Sequence, residues 1–237
     1  MIRTALLAAL LLPGVGPQET RGTIDPTRPP WTAVVRVQIP GVSRCTGFAV
    51  APRSILTAAH CLYSVRLAHM MPASSVHVLS GYARGLYLRH AIAQSYRLGA
   101  GYGIPGTIFS VGGDVAIVTL AAPVTGSVLK LVDAHAGDAA MLGGYSQDFS
   151  EVILADTQCR VGGLVPAPGG ALLQHSCEGT RGTSGAPLLV RDAAGAWAAA
   201  GVQVRGLKDQ AGGFAIPAAS LPGLFGNVLF GNVQEVR

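Results

Sequence analysis

The chain has 237 residues, 49% of them hydrophobic and only 12% charged, with 32 glycines, 15 prolines and a formal charge of +5. So much apolar content without a long like-charge run excludes a disordered chain, and so few Lys and Glu exclude an architecture of long solvent-facing helices. The basic residues are scattered and do not interleave with aromatics, so no nucleic-acid partner is expected.

In chain order, Arg3 precedes a short apolar run over residues 4–12 and the small residues that follow Pro13. That pattern predicts a secretory signal peptide over residues 1–17. The run is too short to span a bilayer, and no later segment reaches about 18 unbroken apolar residues. A secreted or periplasmic protein is expected, without stable membrane association once the signal is removed. Cys45, Cys61, Cys159 and Cys177 suit an oxidising compartment. They allow more than one pairing, and their spacing suggests the local ones, Cys45 with Cys61 and Cys159 with Cys177. No C-x-x-C and no His pair at ligand spacing occurs, so no metal is expected, nor any nucleotide or other cofactor.

Residues 18–30 are polar and proline-rich and predict an extended leader. Over residues 31–39, Val35, Val37 and Ile39 alternate with Arg36 and Gln38, as in a half-buried strand. Strand-like runs recur at 47–51, 54–58, 75–79 and 114–120. A loop-like stretch, 121–127, separates them from further runs at 140–142, 152–155, 171–175, 187–190, 196–204 and 213–216. Helical signals are weak, near 59–63 and at the C-terminal end. Short strands punctuated by Gly and Pro predict an all-β chain built as barrels or sandwiches.

Three segments carry chemistry. In Leu56-Thr57-Ala58-Ala59-His60-Cys61 an apolar strand runs into small residues that leave room for an imidazole. In Gly112-Gly113-Asp114-Val115-Ala116-Ile117 a carboxylate heads an apolar strand, where partial desolvation calls for a donor such as a His ring N–H. In Gly179-Thr180-Arg181-Gly182-Thr183-Ser184-Gly185-Ala186-Pro187, glycines allow a tight turn in which the N–H groups of Gly182 and Ser184 converge on an oxyanion. The last segment nearly fits the G-x-S-x-G elbow of α/β-hydrolases, but those enzymes run Ser, acid, His along the chain and this one runs His60, Asp114, Ser184.

In these segments the chain resembles the trypsin-like serine endopeptidases, over about residues 31–218, with T-A-A-H-C at His60, D-V-A-I at Asp114 and G-T-S-G-A-P for the family's G-D-S-G-G-P. The resemblance implies an all-β fold of two six-stranded antiparallel β-barrels with the active site between them. It assigns residues 31–123, with His60 and Asp114, to the first barrel and 124–237, with Ser184, to the second. It implies a secreted, monomeric endopeptidase that cuts polypeptides through an acyl-enzyme, with Cys45 bridged to Cys61. A catalytically silent binding protein on the same scaffold and a non-proteolytic serine esterase are the alternatives.

Two departures stand out. Ala186 replaces a glycine, a small change. Thr183 replaces the Asp that in trypsin pairs with the freed N-terminal amine, so that activation switch is not implied and the oxyanion loop must be held another way. Bacterial V8-like glutamyl endopeptidases also lack that Asp, and the chain resembles them more. The substrate pocket implied by the resemblance comprises Glu178, Gln203, Val204, Arg205, Gly206 and Gly213. Gln203 stands where glutamyl-specific relatives carry a His, so strict glutamate preference is not implied. Glu178 lies where a trypsin-like acid would, but its flanking residues do not match, and the residue preference stays open. His69, His77, His90, His135 and His175 read as surface or hydrogen-bonded structural residues, and Asp133, Asp138, Asp148 and Asp156 as turn or cap residues.

Overall fold

Runs of Val, Ile, Leu and Ala broken by Gly and Pro form most of the strands among the described residues. The computed structural model describes residues 20–103, 111–208 and 210–225, so the signal expected at 1–17 and the first residues of the leader lie outside it. The strands are β1 (Arg21–Ile24), β2 (Val34–Ile39), β3 (Ser43–Ala51), β4 (Ser54–Thr57), β5 (Tyr63–Ser64), β6 (His69–Met70), β7 (His77–Ser80) and β8 (Arg89–Leu98). They continue with β9 (Ala116–Leu120), β10 (Ala139–Gly144), β11 (Ile153–Ala167), β12 (Gly170–His175), β13 (Pro187–Arg191), β14 (Trp197–Gly206) and β15 (Gly213–Pro217). One short α-helix, α1 (Leu221–Phe225), is the only one among the described residues.

Two antiparallel barrels result. The first closes in the order β2-β3-β4-β9-β8-β7. The second runs β11-β10-β13-β14-β15-β12 and closes by pairing β11 with β12. Closure pairs most strands on both sides, which suits short strands of modest individual stability. Residues 121–138 cross from one barrel to the other. Leu129 N–H still donates to Ala49 of β3, while Leu131 bridges to Ala199 of β14 and Val132 N–H donates to the Ala199 carbonyl. Buried side chains of both barrels, among them Phe48, Ile55, Leu56, Leu189 and Val202, meet in one apolar core.

Three features differ from the sequence pattern. Residues 21–24 of the expected leader form β1, which pairs along β11 with Arg21 opposite Asp156. Strand β8 is invisible to hydropathy because its inward positions are Ala91 and Ala93, small residues between polar ones. Arg36, expected on a wet face, is buried: its guanidinium lies 4.1 Å over the Tyr82 ring and donates to the Ser150 carbonyl at 3.0 Å. Loops of the second barrel cover that side of β2, and the charge is met there by Glu151 at 3.5 Å.

Candidate active site

Antiparallel pairing of β4 with β9 sets Thr57 opposite Ala116. His60 follows β4 in a 3-10 turn (Ala59–Leu62), and Asp114 immediately follows the 3-10 turn Val111–Gly113 ahead of β9. Neighbouring strands running in opposite directions therefore bring these two residues to the same end of the first barrel. Asp114 is 2% exposed. One carboxylate oxygen accepts the His60 backbone N–H at 2.9 Å, and the other lies 2.7 Å from His60 Nδ1. A buried carboxylate held this way fixes the ring with Nδ1 protonated and Nε2 free to act as a base.

Ser184 comes from the second barrel, just ahead of β13. Its carbonyl accepts the Thr46 N–H at 2.9 Å, and the Thr57 hydroxyl donates to the Thr46 carbonyl at 2.7 Å. The turn that carries the serine requires its glycines. Gly182 and Gly185 have φ of +95° and +86°, and a Cβ on Gly185 would collide with the Thr46 carbonyl and the Thr57 hydroxyl. Gly185 N–H donates to the Gln203 carbonyl at 2.6 Å, and Thr46 Oγ1 donates to the Gly182 carbonyl at 2.9 Å. Among the described residues, the N–H groups of Gly182 and Ser184 have no protein acceptor, and no direct hydrogen bond joins the Ser184 hydroxyl to the His60 ring. Such a bond commonly tightens only when substrate is bound.

The cysteines pair locally, Cys45 with Cys61 and Cys159 with Cys177. The first bridge ties the residue after His60 to β3, the strand that holds Ser184. Cys45, Cys61 and His60 present donor atoms within 4.8 Å of one another, but both sulfurs are joined to each other, so the group offers a metal only the imidazole.

The expected pocket residues divide. Gln203 and Val204 are buried on β14, while Arg205 and Gly206 are exposed. Beyond Gln203, β14 pairs with β15 on one side only, since β13 stops opposite Val202. Gly213 sits so close to Gln203 Nε2, His175 Cε1 and the Arg205 carbonyl that a Cβ would meet all three within 3.0 Å. Glu178 does not face this region. Its carboxylate accepts from Thr20 N at 3.2 Å and Thr20 Oγ1 at 2.6 Å, with Arg21 Nε at 3.7 Å.

Three supports carried no sequence signal. Thr46 bonds both flanks of the serine turn. Asp156, buried on β11, accepts the Glu178 N–H at 2.9 Å. His175, 2% exposed, accepts the Cys177 N–H at Nδ1 (3.2 Å) and so donates from Nε2 to Gln203 Oε1 at 2.6 Å. Burial holds the His175 imidazole below the usual histidine range, outweighing the opposing Gln203 hydrogen bond and Asp156 charge.

Residues 21–164 match the Trypsin family model. No curated protein matches the chain in sequence. Among solved structures, a Glu endopeptidase in complex with MPD is similar at 20% identity with a TM-score of 0.67, over 86% of this chain and 94% of that one. The Rv3671c protease in its inactive form is similar at 20% identity with a TM-score of 0.57, over 81% of this chain and 87% of that one. At such identity the likeness is one of fold, and the fold is the double barrel of trypsin-like proteases.

Proposed function

The chain belongs to the trypsin family of serine endopeptidases, and on that premise we propose that Ser184, His60 and Asp114 are its catalytic triad. Ser184 Oγ attacks the carbonyl carbon of the scissile peptide bond as its proton passes to His60 Nε2. Asp114 keeps Nδ1–H in place and balances the charge of the imidazolium that forms. The carbonyl oxygen, now negative, lies against the N–H groups of Gly182 and Ser184. His60 then gives its proton to the leaving amine, which departs and leaves an acyl-enzyme ester on Ser184. Water, deprotonated by His60, hydrolyses that ester and restores the serine.

The observation that carries this reading is the double hold of Asp114 on His60, through ring and backbone at 2.7 and 2.9 Å. An isolated surface pair would not recruit a carboxylate that is almost wholly buried. The polypeptide substrate binds in extended form along the unpaired edge of residues 204–206, adding a strand to β14. Gln203, Val204 and Gly213 wall the adjoining pocket. The enzyme works as a monomer, its first barrel ending near residue 123, and it acts outside the cytoplasm or in the periplasm. Two disulfides and the basic-apolar segment at residues 3–16 support export, and no helix among the described residues is long and apolar enough to cross a membrane.

The test compares wild type with Ser184→Ala for cleavage of a protein substrate and for labelling by a fluorophosphonate. Wild type is expected to cut and label, and the variant to lose on the order of 10⁶-fold in turnover. Equal labelling of both proteins overturns the assignment of Ser184. A folded wild type that neither cuts nor labels moves the silent binding scaffold to the front.

A further inference from the structure

From the contacts of β1 we infer that Arg21 is a positioning residue that holds the oxyanion loop in its working shape, in place of an ion pair that Thr183 cannot form. This inference rests on the serine-endopeptidase reading above. Strand β1 is only four residues long and lies outside the closed ring of the second barrel, pairing among the described strands with β11 only. Its Arg21 side chain is nevertheless just 4% exposed. A buried guanidinium is unfavourable unless it is paired and hydrogen-bonded.

Arg21 meets that need by bridging two loops. One guanidinium nitrogen donates to Asp148 Oδ2 at 2.7 Å, and another reaches Ser146 Oγ at 3.4 Å and Thr180 Oγ1 at 3.3 Å. The Nε lies 3.7 Å from Glu178 Oε1. Ser146 and Asp148 belong to the turn after β10. Glu178 and Thr180 open the irregular segment that leads to Ser184. The same two loops are laced directly, by Thr180 Oγ1 to Asp148 Oδ1 at 3.0 Å, Gln147 N to the Arg181 carbonyl at 2.6 Å, and Ser146 Oγ with Thr183 Oγ1 at 3.3 Å.

Thr183 sits between Gly182 and Ser184, whose N–H groups are the proposed oxyanion donors. It is buried and uncharged, so it cannot recruit a cation itself. The polar chain Arg21–Ser146–Thr183 brings one to within a single side chain of it. The planar fork of arginine suits this task because it addresses several acceptors at fixed angles, which an ammonium does not. Since the cation is a side chain within the sequence, the loop needs no newly freed terminus to order it.

The experiment compares wild type, Arg21→Ala and Arg21→Lys by fluorophosphonate acylation rate per titrated site, by kcat and KM on a protein substrate, and by thermal melting. Amide exchange over residues 178–185 is followed in parallel in a Ser184→Ala background. Loosening the donors is expected to lower acylation and kcat in Arg21→Ala on the order of 10²-fold, with KM much less affected. Exchange over 178–185 rises while that of β13 and β14 does not, and Arg21→Lys recovers part of the rate. A role confined to stability would lower the melting temperature and the number of titratable sites, leaving the rate per site at the wild-type value; that result overturns the inference. Unchanged exchange over 178–185 does the same.

If Arg21→Ala does not fold, Asp148→Ala and Thr180→Val each remove one arm and are expected to show the same pattern in weaker form; wild-type rates in both overturn the inference. Failure of the serine reading looks different, because wild type then does not label while the exchange measurement still reports on the loop.

Discussion

The N–H of Thr46, on β3 of the first barrel, donates to the carbonyl of Ser184, on the second, at 2.9 Å. The Thr46 hydroxyl adds two more bonds across the same boundary, donating to the Gly182 carbonyl and accepting from Tyr145 N–H, each at 2.9 Å. One buried threonine thus fixes both sides of the serine turn to the barrel that carries His60. The placing of Ser184 relative to His60 depends on this seam as much as on either barrel.

Replacing Thr46 by Val keeps the shape and removes the hydroxyl, stranding a buried carbonyl and a buried N–H. Each stranded group costs about 1–3 kcal/mol. The melting temperature is expected to fall. Among molecules that remain folded, kcat is expected to fall more than KM rises, because the lost bonds lie beside the proposed oxyanion donors and not in the proposed pocket. Thermal melts paired with active-site titration separate the two effects.

Asp114→Asn tests the grip on His60. A neutral amide has one oxygen where the carboxylate offers two, so it cannot accept from both the His60 N–H and the ring. The imidazole is left in the wrong tautomer to take the serine proton. The expected loss in kcat is on the order of 10⁴, with KM nearly unchanged and the fold intact by circular dichroism. A loss of less than tenfold would show that Asp114 is a structural carboxylate only.

His60, Asp114 and Ser184 are legible in the sequence because each sits in a short motif whose small or turn-forming neighbours are local. The double barrel is legible for a related reason: most of its strands are short, largely apolar runs set between Gly, Pro and polar residues. What escapes are long-range contacts. Arg21 and Asp148 are 127 residues apart, and Thr46 and Gly182 are 136 apart, so nothing near either residue announces its partner. Asp148 and Asp156 look like turn residues by composition, and only tertiary packing turns them toward the serine loop. Strand β8 escapes because alanine, a weak hydrophobic signal, supplies its inner face.

The Cys159–Cys177 bridge closes a short loop next to that same segment, since Glu178 follows directly. Substituting both cysteines by Ser is expected to cost about 3 kcal/mol. The loss should register as a lower denaturation midpoint with a steeper slope, because the uncrosslinked unfolded chain exposes more surface. The activity of the variant should fall at lower temperature than that of wild type. An unchanged midpoint in the oxidised proteins sinks this expectation.

His175 makes the protein sensitive to acid in a defined direction. Its folded-state pKa lies below the ordinary histidine value because burial disfavours the cation. The unfolded chain therefore takes up a proton that the folded chain refuses once the pH drops below about 6.5. More protons bound in the unfolded state means stability that is fully present above that pH and is lost as the pH falls toward the folded pKa. Protonation also places a hydrogen on Nδ1, which then cannot accept the Cys177 N–H. Urea denaturation from pH 7.5 to 5 should show this decline in wild type. In His175→Gln the decline should be shallower, although the variant starts from lower stability because its side chain cannot reproduce both hydrogen bonds. Parallel pH profiles for the two proteins would assign the acid sensitivity elsewhere.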